Sequence, residues 1–144
     1  MTVSSEIIAS IRLRRGAGND IISDGGDSDI LNGGNDNDIM NGGRGADTIG
    51  DIDGGNKGEY FSSDAGTDTI NGAGGNDTID GGVGVDILIG GTGNDQLIGG
   101  DGDDNYLGYG VAGFGRDIIE DSSGAFDEAD FAALNTTDVM TLLL

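Results

Sequence analysis

Large apolar residues recur along the chain at a nine-residue interval. Apart from one break after residue 50, the spacing is kept by Ile22, Leu31, Met40, Ile49, Ile70, Ile79, Leu88, Leu97 and Tyr106. Nine residues divide into a six-residue turn and a three-residue strand, and side chains alternate along a strand. The central apolar residue therefore points inward. The pattern predicts coils of two such units, stacked as short parallel strands around a thin apolar core.

An acidic residue accompanies each apolar one, two positions before it. These acids are Asp20, Asp29, Asp38, Asp47, Asp68, Asp77, Asp86, Asp95 and Asp104. Glycines begin most units, and the three units between 81 and 107 read G-G-x-G-x-D-x-U-x without exception, where U is a large apolar residue. Nine acids and nine apolar residues in register establish an internal repeat, which is typical of a solenoid.

The phase of the repeat divides the chain. We predict an N-terminal cap (strand or short helix) at 1–14, a first array at 15–50, an enlarged turn or loop at 51–62, a second array at 63–120 and a C-terminal cap at 121–144. A short insertion at 108–112 precedes the degenerate last unit, which carries Asp117. Caps are expected because the ends of a solenoid expose apolar core and unpaired strand edges.

The amino-acid composition excludes several classes of site and function. The 144 residues include 31 Gly, no His and no Cys, and 27 acidic residues against six basic ones give a net charge of -21. A standard zinc site and a Ser-His or Cys-His nucleophile pair are therefore excluded. The charge excludes a general nucleic-acid binder, which needs cationic surface. No segment approaches the roughly 20 apolar residues of a membrane span. Like charge at this density opposes compaction unless multivalent cations neutralise it.

The repeat resembles the RTX nonapeptide family, also called haemolysin-type calcium-binding repeats. The resemblance rests on the three uninterrupted copies at 81–107 and covers residues 15–120, including both interruptions. It implies an all-β fold: a right-handed parallel β-roll (a β-helix or solenoid) with calcium in the turns and non-repeat caps at both ends. Calcium takes roughly six to eight oxygen ligands, which carboxylates and backbone carbonyls supply.

The resemblance also implies a ligand set that is shared by two turns two units apart. Each ion takes the acidic side chain of both turns, the carbonyls of positions two and four from one turn, and those of positions one and three from the other. The side-chain ligands are then Asp20, Asp29, Asp38, Asp47, Asp68, Asp77, Asp86, Asp95, Asp104 and Asp117. The carbonyl ligands are those of Gly16, Gly18, Gly25, Asp27, Gly33, Asn35, Gly42, Arg44, Asp64, Gly66, Ala73, Gly75, Gly81, Gly82, Val83, Gly84, Gly90, Gly91, Thr92, Gly93, Gly99 and Asp101.

These turn pairs imply about five internal calcium ions, and the edges and the cap raise the number to about eight. Five ions would change the formal charge from -21 to -11. We therefore expect the repeats to be largely disordered without calcium and to fold on binding it. Asp86 belongs to two implied sites and is expected to bridge two ions. Paired carboxylates also serve glycoside hydrolysis, but the nine-residue period explains them as metal ligands, so no enzyme activity is expected.

The family context implies a non-catalytic module of a secreted bacterial protein, exported unfolded by type I secretion machinery and folded by calcium outside the cell or at its surface. A calcium-dependent adhesin or spacer segment and an accessory module of an extracellular enzyme remain alternatives. Residues 121–144 are either a cap or part of an uncleaved secretion signal. Outward apolar residues offer packing against a neighbouring domain or copy; they are Ile21, Ile30, Ile39, Ile87, Ile89, Ile98 and Ile118.

Overall fold

The computed structural model describes residues 2–4, 10, 12–14, 16–50, 57–107, 115–121, 128–130 and 139–143. These residues form strands and turns, and none of them lies in a helix that could cross a membrane. The strands are β1 (Thr2–Ser4), β2 (Arg12–Arg14), β3 (Ile21–Ser23), β4 (Ile30–Asn32), β5 (Ile39–Asn41), β6 (Thr48–Gly50), β7 (Tyr60–Ser62), β8 (Ala65–Gly66), β9 (Thr69–Asn71), β10 (Thr78–Asp80), β11 (Val83–Gly84), β12 (Ile87–Ile89), β13 (Gln96–Ile98), β14 (Asn105–Leu107), β15 (Arg116–Glu120), β16 (Glu128–Asp130) and β17 (Val139–Leu143).

Successive units contribute strands to two sheets in alternation. One sheet has eight strands in the order β1-β3-β5-β7-β10-β13-β15-β17, and the other has seven in the order β16-β14-β12-β9-β6-β4-β2. The pairings are parallel, as in β3 with β5 and β12 with β14. In addition, β8 and β11 pair within the turns. The chain is an all-β parallel solenoid, which confirms the predicted fold class.

The core is one layer of eighth-position side chains between the two sheets. All nine predicted core residues are at most 4% exposed. Phe61 and Ile119 complete the same cluster, and Leu13 packs against it while partly buried. Burying each large apolar side chain contributes about 1.5–3 kcal/mol, so the apolar residue at position eight is what holds each short strand in place.

The loop predicted at 51–62 is wrong for the last part of that range. Tyr60–Ser62 is strand β7, which pairs with both β5 and β10, and Phe61 is fully buried. In the sequence, residues 54–62 can be aligned as a nine-residue unit with Glu59 in the acidic position. Paired turns are 18 residues apart along most of the chain but 21 apart across this junction. Three inserted residues had hidden the unit; residues 51–56 lie outside the described ones.

The predicted outward residues divide into three groups. Ile21, Ile39 and Ile118 are exposed, which confirms their orientation. Three others, Ile30, Ile87 and Ile98, are half-buried. The prediction is wrong for Ile89, which is only 9% exposed. Ile89 is the last residue of its strand, where the chain enters the next turn, and Asn32 at the same position is also buried.

Strands extend both sheets beyond the repeat. At the N-terminal end β1 pairs with β3 and β2 pairs with β4, so the described residues 2–4 and 12–14 of the predicted cap are strands. At the C-terminal end β16 pairs with β14 and β17 pairs with β15. The described parts of both end segments thus continue the solenoid, although they lack the glycine and aspartate pattern.

Candidate metal centre

The sixth-position acids form two stacks, one on each side of the solenoid. Each stack collects the acids of alternate units, because alternate units lie directly above one another. One stack contains Asp20, Asp38, Glu59, Asp77, Asp95 and Asp117. The other contains Asp29, Asp47, Asp68, Asp86 and Asp104. All ten predicted aspartates therefore lie in the stacks, together with Glu59.

One carboxylate oxygen of these acids connects neighbouring turns. The backbone N–H of Asp86 donates to Oδ1 of Asp104 at 2.9 Å, and that of Asp68 donates to Oδ1 of Asp86 at 2.8 Å. The same bond joins Asp77 to Asp95 at 2.9 Å in the other stack. Such a bond fixes each side chain and leaves its second oxygen, Oδ2, to face the interior of the turn.

That second oxygen is the unusual feature of the turns. In Asp47, Asp86 and Asp95, Oδ2 is buried and has no hydrogen-bond partner among the described residues. These three side chains are at most 2% exposed. A buried carboxylate without a partner destabilises a fold by several kcal/mol unless a cation or a proton compensates it. A cation beside Oδ2 would supply this compensation.

A backbone carbonyl faces the same point. A Cβ placed on Gly81 would lie 2.8 Å from Oδ2 of Asp86 and 2.8 Å from the carbonyl oxygen of Gly99, two units further on. Gly72 occupies the same place between Asp77 and the carbonyl of Gly90. Glycine at position one thus leaves a small space that a carboxylate oxygen and a carbonyl oxygen border, which suits a hard cation with oxygen ligands.

The remaining predicted carbonyls lie in the stacked turns, and several of them accept backbone hydrogen bonds. The N–H of Asp101 donates to the carbonyl of Gly82, and the N–H of Gly84 donates to the carbonyl of Asp101, both at 2.8 Å. The same pair of bonds joins the turns of Ala73 and Thr92. A carbonyl oxygen has a second lone pair, so these groups fit a cation as well, and their role as ligands stays a prediction.

Most of the described turns have a residue with positive φ at position two, position four or both. Gly43 has φ of +87°, and a Cβ there would lie 2.9 Å from the carbonyl oxygens of both Asp24 and Gly25. Three residues with a Cβ nevertheless adopt positive φ: Asp27 at +75°, Asp36 at +80° and Ala73 at +66°. These residues thus keep a positive φ without glycine, although Asp27 and Asp36 have a smaller φ than a position-four glycine such as Gly84 at +155°.

Burial raises the pKa of several of these acids. It raises the pKa of Asp86 and Asp95 to about 7 and that of Asp47 to about 6, although the N–H bond to each lowers it. Neighbouring carboxylates in the stack raise these pKa values further. Burial also raises the pKa of Asp24 and Asp80. Desolvation disfavours the charged form, so protons and cations compete for the same oxygens.

Three residues of the turns were missed by the sequence analysis. Glu59 is detected by counting nine residues back from Asp68. Ser63 stands at position one of its unit, and its Oγ donates a hydrogen bond to Oδ2 of Asp68. Asp24 stands at position one of another unit and is 5% exposed. Their common signal is a polar side chain where the other units have glycine or aspartate.

Among the residues that the structure describes, no three acidic side chains form a ready metal site. A cation between two turns would therefore take two carboxylates from the stack and the rest of its ligands from the backbone. The residues present fit calcium, which accepts carbonyl oxygens readily.

Comparison with known proteins agrees with this geometry. A family model for the RTX calcium-binding nonapeptide repeat matches residues 15–49, 53–88 and 80–110, well over half of the chain. No curated protein and no solved structure gives a significant match. The second matched range includes Glu59, in agreement with its place in the stack.

Proposed function

The chain belongs to the RTX calcium-binding nonapeptide repeat family, and we propose that it is a non-catalytic module that folds as it binds calcium. About five to eight ions would lie between turns two units apart. The observation that carries the proposal is the buried, unpartnered Oδ2 of Asp47, Asp86 and Asp95. Each of them needs a positive charge that the described side chains do not supply.

Calcium binding and folding are coupled in this proposal through charge. The net charge of -21 opposes the close stacking of the turns. The apolar layer is only one side chain thick, so it offers limited compensation. A ligand that binds only the folded state stabilises it in proportion to the logarithm of its concentration. Several calcium ions together would make the transition steep.

The setting we propose is extracellular. The family's usual context supports export through type I secretion machinery as an unfolded chain, followed by folding in the calcium of the medium or cell surface. Cytosolic calcium is too low to saturate sites of the affinity seen in extracellular modules, about 10⁻⁴–10⁻³ M. The chain would then stay unfolded until it leaves the cell.

A second candidate is a calcium-dependent spacer, adhesin segment or accessory module of an extracellular enzyme. The observation in its favour is a row of exposed apolar side chains on the eight-stranded sheet. Ile21 pairs with Ile39, and Ile39 pairs with Tyr60, each 44% to 47% exposed. Such a row suits packing against a neighbouring domain or copy. A calcium-dependent change from monomer to dimer in light scattering would support it.

Far-UV circular dichroism during a calcium titration of the chelated protein tests the proposal, with magnesium as control. We expect a cooperative transition from coil to β structure with calcium alone. Magnesium should fail because it demands a tight octahedral shell and retains its waters. A spectrum that is β-rich in excess chelator, or that does not respond to calcium, would overturn the proposal.

A further inference from the structure

Two consecutive gaps between turns of the same acid stack share one backbone arrangement. In the first gap, which follows the unit 63–71 in the stack, the N–H of Asp68 donates to Oδ1 of Asp86 at 2.8 Å. In the second gap, which follows the unit 81–89, the N–H of Asp86 donates to Oδ1 of Asp104 at 2.9 Å. In both gaps the N–H at position three of the later turn donates to the carbonyl at position two of the earlier turn, at 3.1 Å and 2.8 Å respectively. Equivalent positions of the two gaps can therefore be compared directly.

The two gaps differ at position one of the earlier turn, which is Ser63 in the first gap and Gly81 in the second. A Cβ on Gly81 would lie 2.8 Å from Oδ2 of Asp86 and 2.8 Å from the carbonyl oxygen of Gly99. Glycine thus leaves open the space that suits a cation. In the first gap a side chain stands at this position, and its hydroxyl donates a hydrogen bond to Oδ2 of Asp68. Ser63 is 1% exposed and Asp68 is fully buried, so bulk water does not compete for this bond.

The hydroxyl changes what the carboxylate of Asp68 requires. Its Oδ1 accepts the N–H of Asp47 at 2.6 Å, so both of its oxygens have a donor from the protein. In Asp47, Asp86 and Asp95, by contrast, Oδ2 is buried without a hydrogen-bond partner among the described residues. A hydrogen bond to an ionised group is roughly twice as strong as one between neutral groups. Ser63 therefore supplies to Asp68 the compensation that the other three acids lack.

We propose that Ser63 makes the first gap the weakest calcium site of the downstream array and the last one to be filled. An ion in this gap has to displace the hydroxyl from Oδ2 of Asp68. It also finds less room, because the Cβ of Ser63 takes part of the space that glycine leaves open elsewhere. This order of binding rests on the proposed function and adds to it a site that binds calcium after the module has folded.

Equilibrium dialysis of the full chain with metal analysis tests the order, together with far-UV circular dichroism at the same free calcium. For the wild type we expect one ion to bind after the dichroism signal has reached its plateau. Ser63→Gly removes the hydroxyl and opens the space, so this ion should bind within the folding transition. Its dissociation constant should fall at least about tenfold, which corresponds to about 1.4 kcal/mol.

Gly90→Ser makes the opposite change in the other stack. A Cβ on Gly90 would lie 2.5 Å from Oδ2 of Asp95, and its three nearest neighbours are all atoms of that side chain. The φ of Gly90 is not in the left-handed region, so serine is compatible with the backbone there. We expect this variant to gain a second ion that binds after the plateau, weakened at least about tenfold.

Ser28→Gly is the matched control, because it makes the same chemical change in another turn. Ser28 is exposed, and its hydroxyl accepts the N–H of Ala46 at 3.2 Å instead of contacting an acid of the stack. Its calcium titration should stay within about twofold of the wild type, the range of a surface substitution.

The outcomes separate this order of binding from calcium binding itself. If the wild type fills all its sites within the folding transition, or if Ser63→Gly keeps a late ion of unchanged affinity, Ser63 does not weaken the gap and the proposed function still stands. If the wild type binds no calcium, the proposed function is wrong, and the role of Ser63 is wrong with it.

Discussion

The units at 81–107 and those at 24–50 fold alike although only the first group keeps all its glycines. Both bury their eighth-position residues, and both join their acids by the same bond, Asp86 to Asp104 at 2.9 Å and Asp29 to Asp47 at 2.8 Å. At position four the downstream units have glycine, whereas Asp27 and Asp36 adopt left-handed backbone upstream.

The difference separates what the fold requires from what it tolerates. The acid at position six and the apolar residue at position eight are present in both groups. At position four, a Cβ on Gly18 in the first unit would meet nothing within 4 Å. In the middle of the downstream stack, a Cβ on Gly84 would overlap the carbonyl of Gly66. In the downstream stack, the contact between turns therefore favours glycine in addition to the positive φ.

The largest effect is expected from Gly84→Ala. Its Cβ would overlap backbone, and its φ of +155° is strained for alanine. We expect a loss of about 3 kcal/mol or more in the free energy of unfolding at saturating calcium. Gly18→Ala, with φ of +96° and open space, should lose about 1–2 kcal/mol. Urea unfolding at fixed free calcium compares them, and equal losses would contradict the stacking argument.

The next largest effect concerns the number of ions that each acid holds. Asp86 lies inside a stack between Asp68 and Asp104, whereas Asp20 starts the other stack. Asp86→Asn should therefore release two ions and Asp20→Asn one. We expect the calcium midpoint for folding to rise about tenfold for Asp86→Asn and a few-fold for Asp20→Asn. Equilibrium dialysis with metal analysis counts the ions, and identical counts would contradict the bridging role.

Acidity should act on the two regions at different pH values. Burial raises the pKa of Asp86 and Asp95 to about 7 and that of Asp47 to about 6, from about 3.9 in an unfolded chain. Between these values the folded state holds more protons, so the stability of the calcium-free fold falls as pH rises. The stabilisation that these raised pKa values give is fully present below about pH 4. It is lost completely above about pH 7 for Asp86 and Asp95, and already near pH 6 for Asp47.

We therefore expect calcium-free protein to show more β structure at pH 5 than at pH 7.5, as measured by circular dichroism. Asp86→Asn should flatten the upper part of this pH profile, whereas the exposed control Asp103→Asn should leave it unchanged. A calcium-free spectrum that is constant between the two pH values would show that the buried carboxylates do not resist folding.

Most of the solenoid follows from the nine-residue period. Leu88 and Asp86 are predictable because every unit repeats their roles, and parallel stacking follows from the period. The strand Tyr60–Ser62 was not predicted because three inserted residues shift the nine-residue repeat and because Glu59 stands where aspartate is expected. The burial of Ile89 escaped because alternation along a three-residue strand does not describe where the chain enters the next turn. The burial of Asp24 could not be predicted from the sequence, because the surroundings of a side chain at position one are formed only when two turns are stacked.

The smallest effect is expected where the consensus residue is restored. Ala73 has φ of +66° and Asp27 has φ of +75°. Ala73→Gly relieves backbone strain of about 1–2 kcal/mol but adds freedom to the unfolded chain, which offsets about 0.4–1 kcal/mol. We expect a gain of about 0.5–1 kcal/mol. Asp27→Gly should change stability little, because aspartate tolerates this conformation better than alanine. Thermal unfolding at equal free calcium measures both. A gain for Asp27→Gly that equals the gain for Ala73→Gly would mean that the upstream turns are strained after all, and that their departures from glycine are retained for the oxygens they bring.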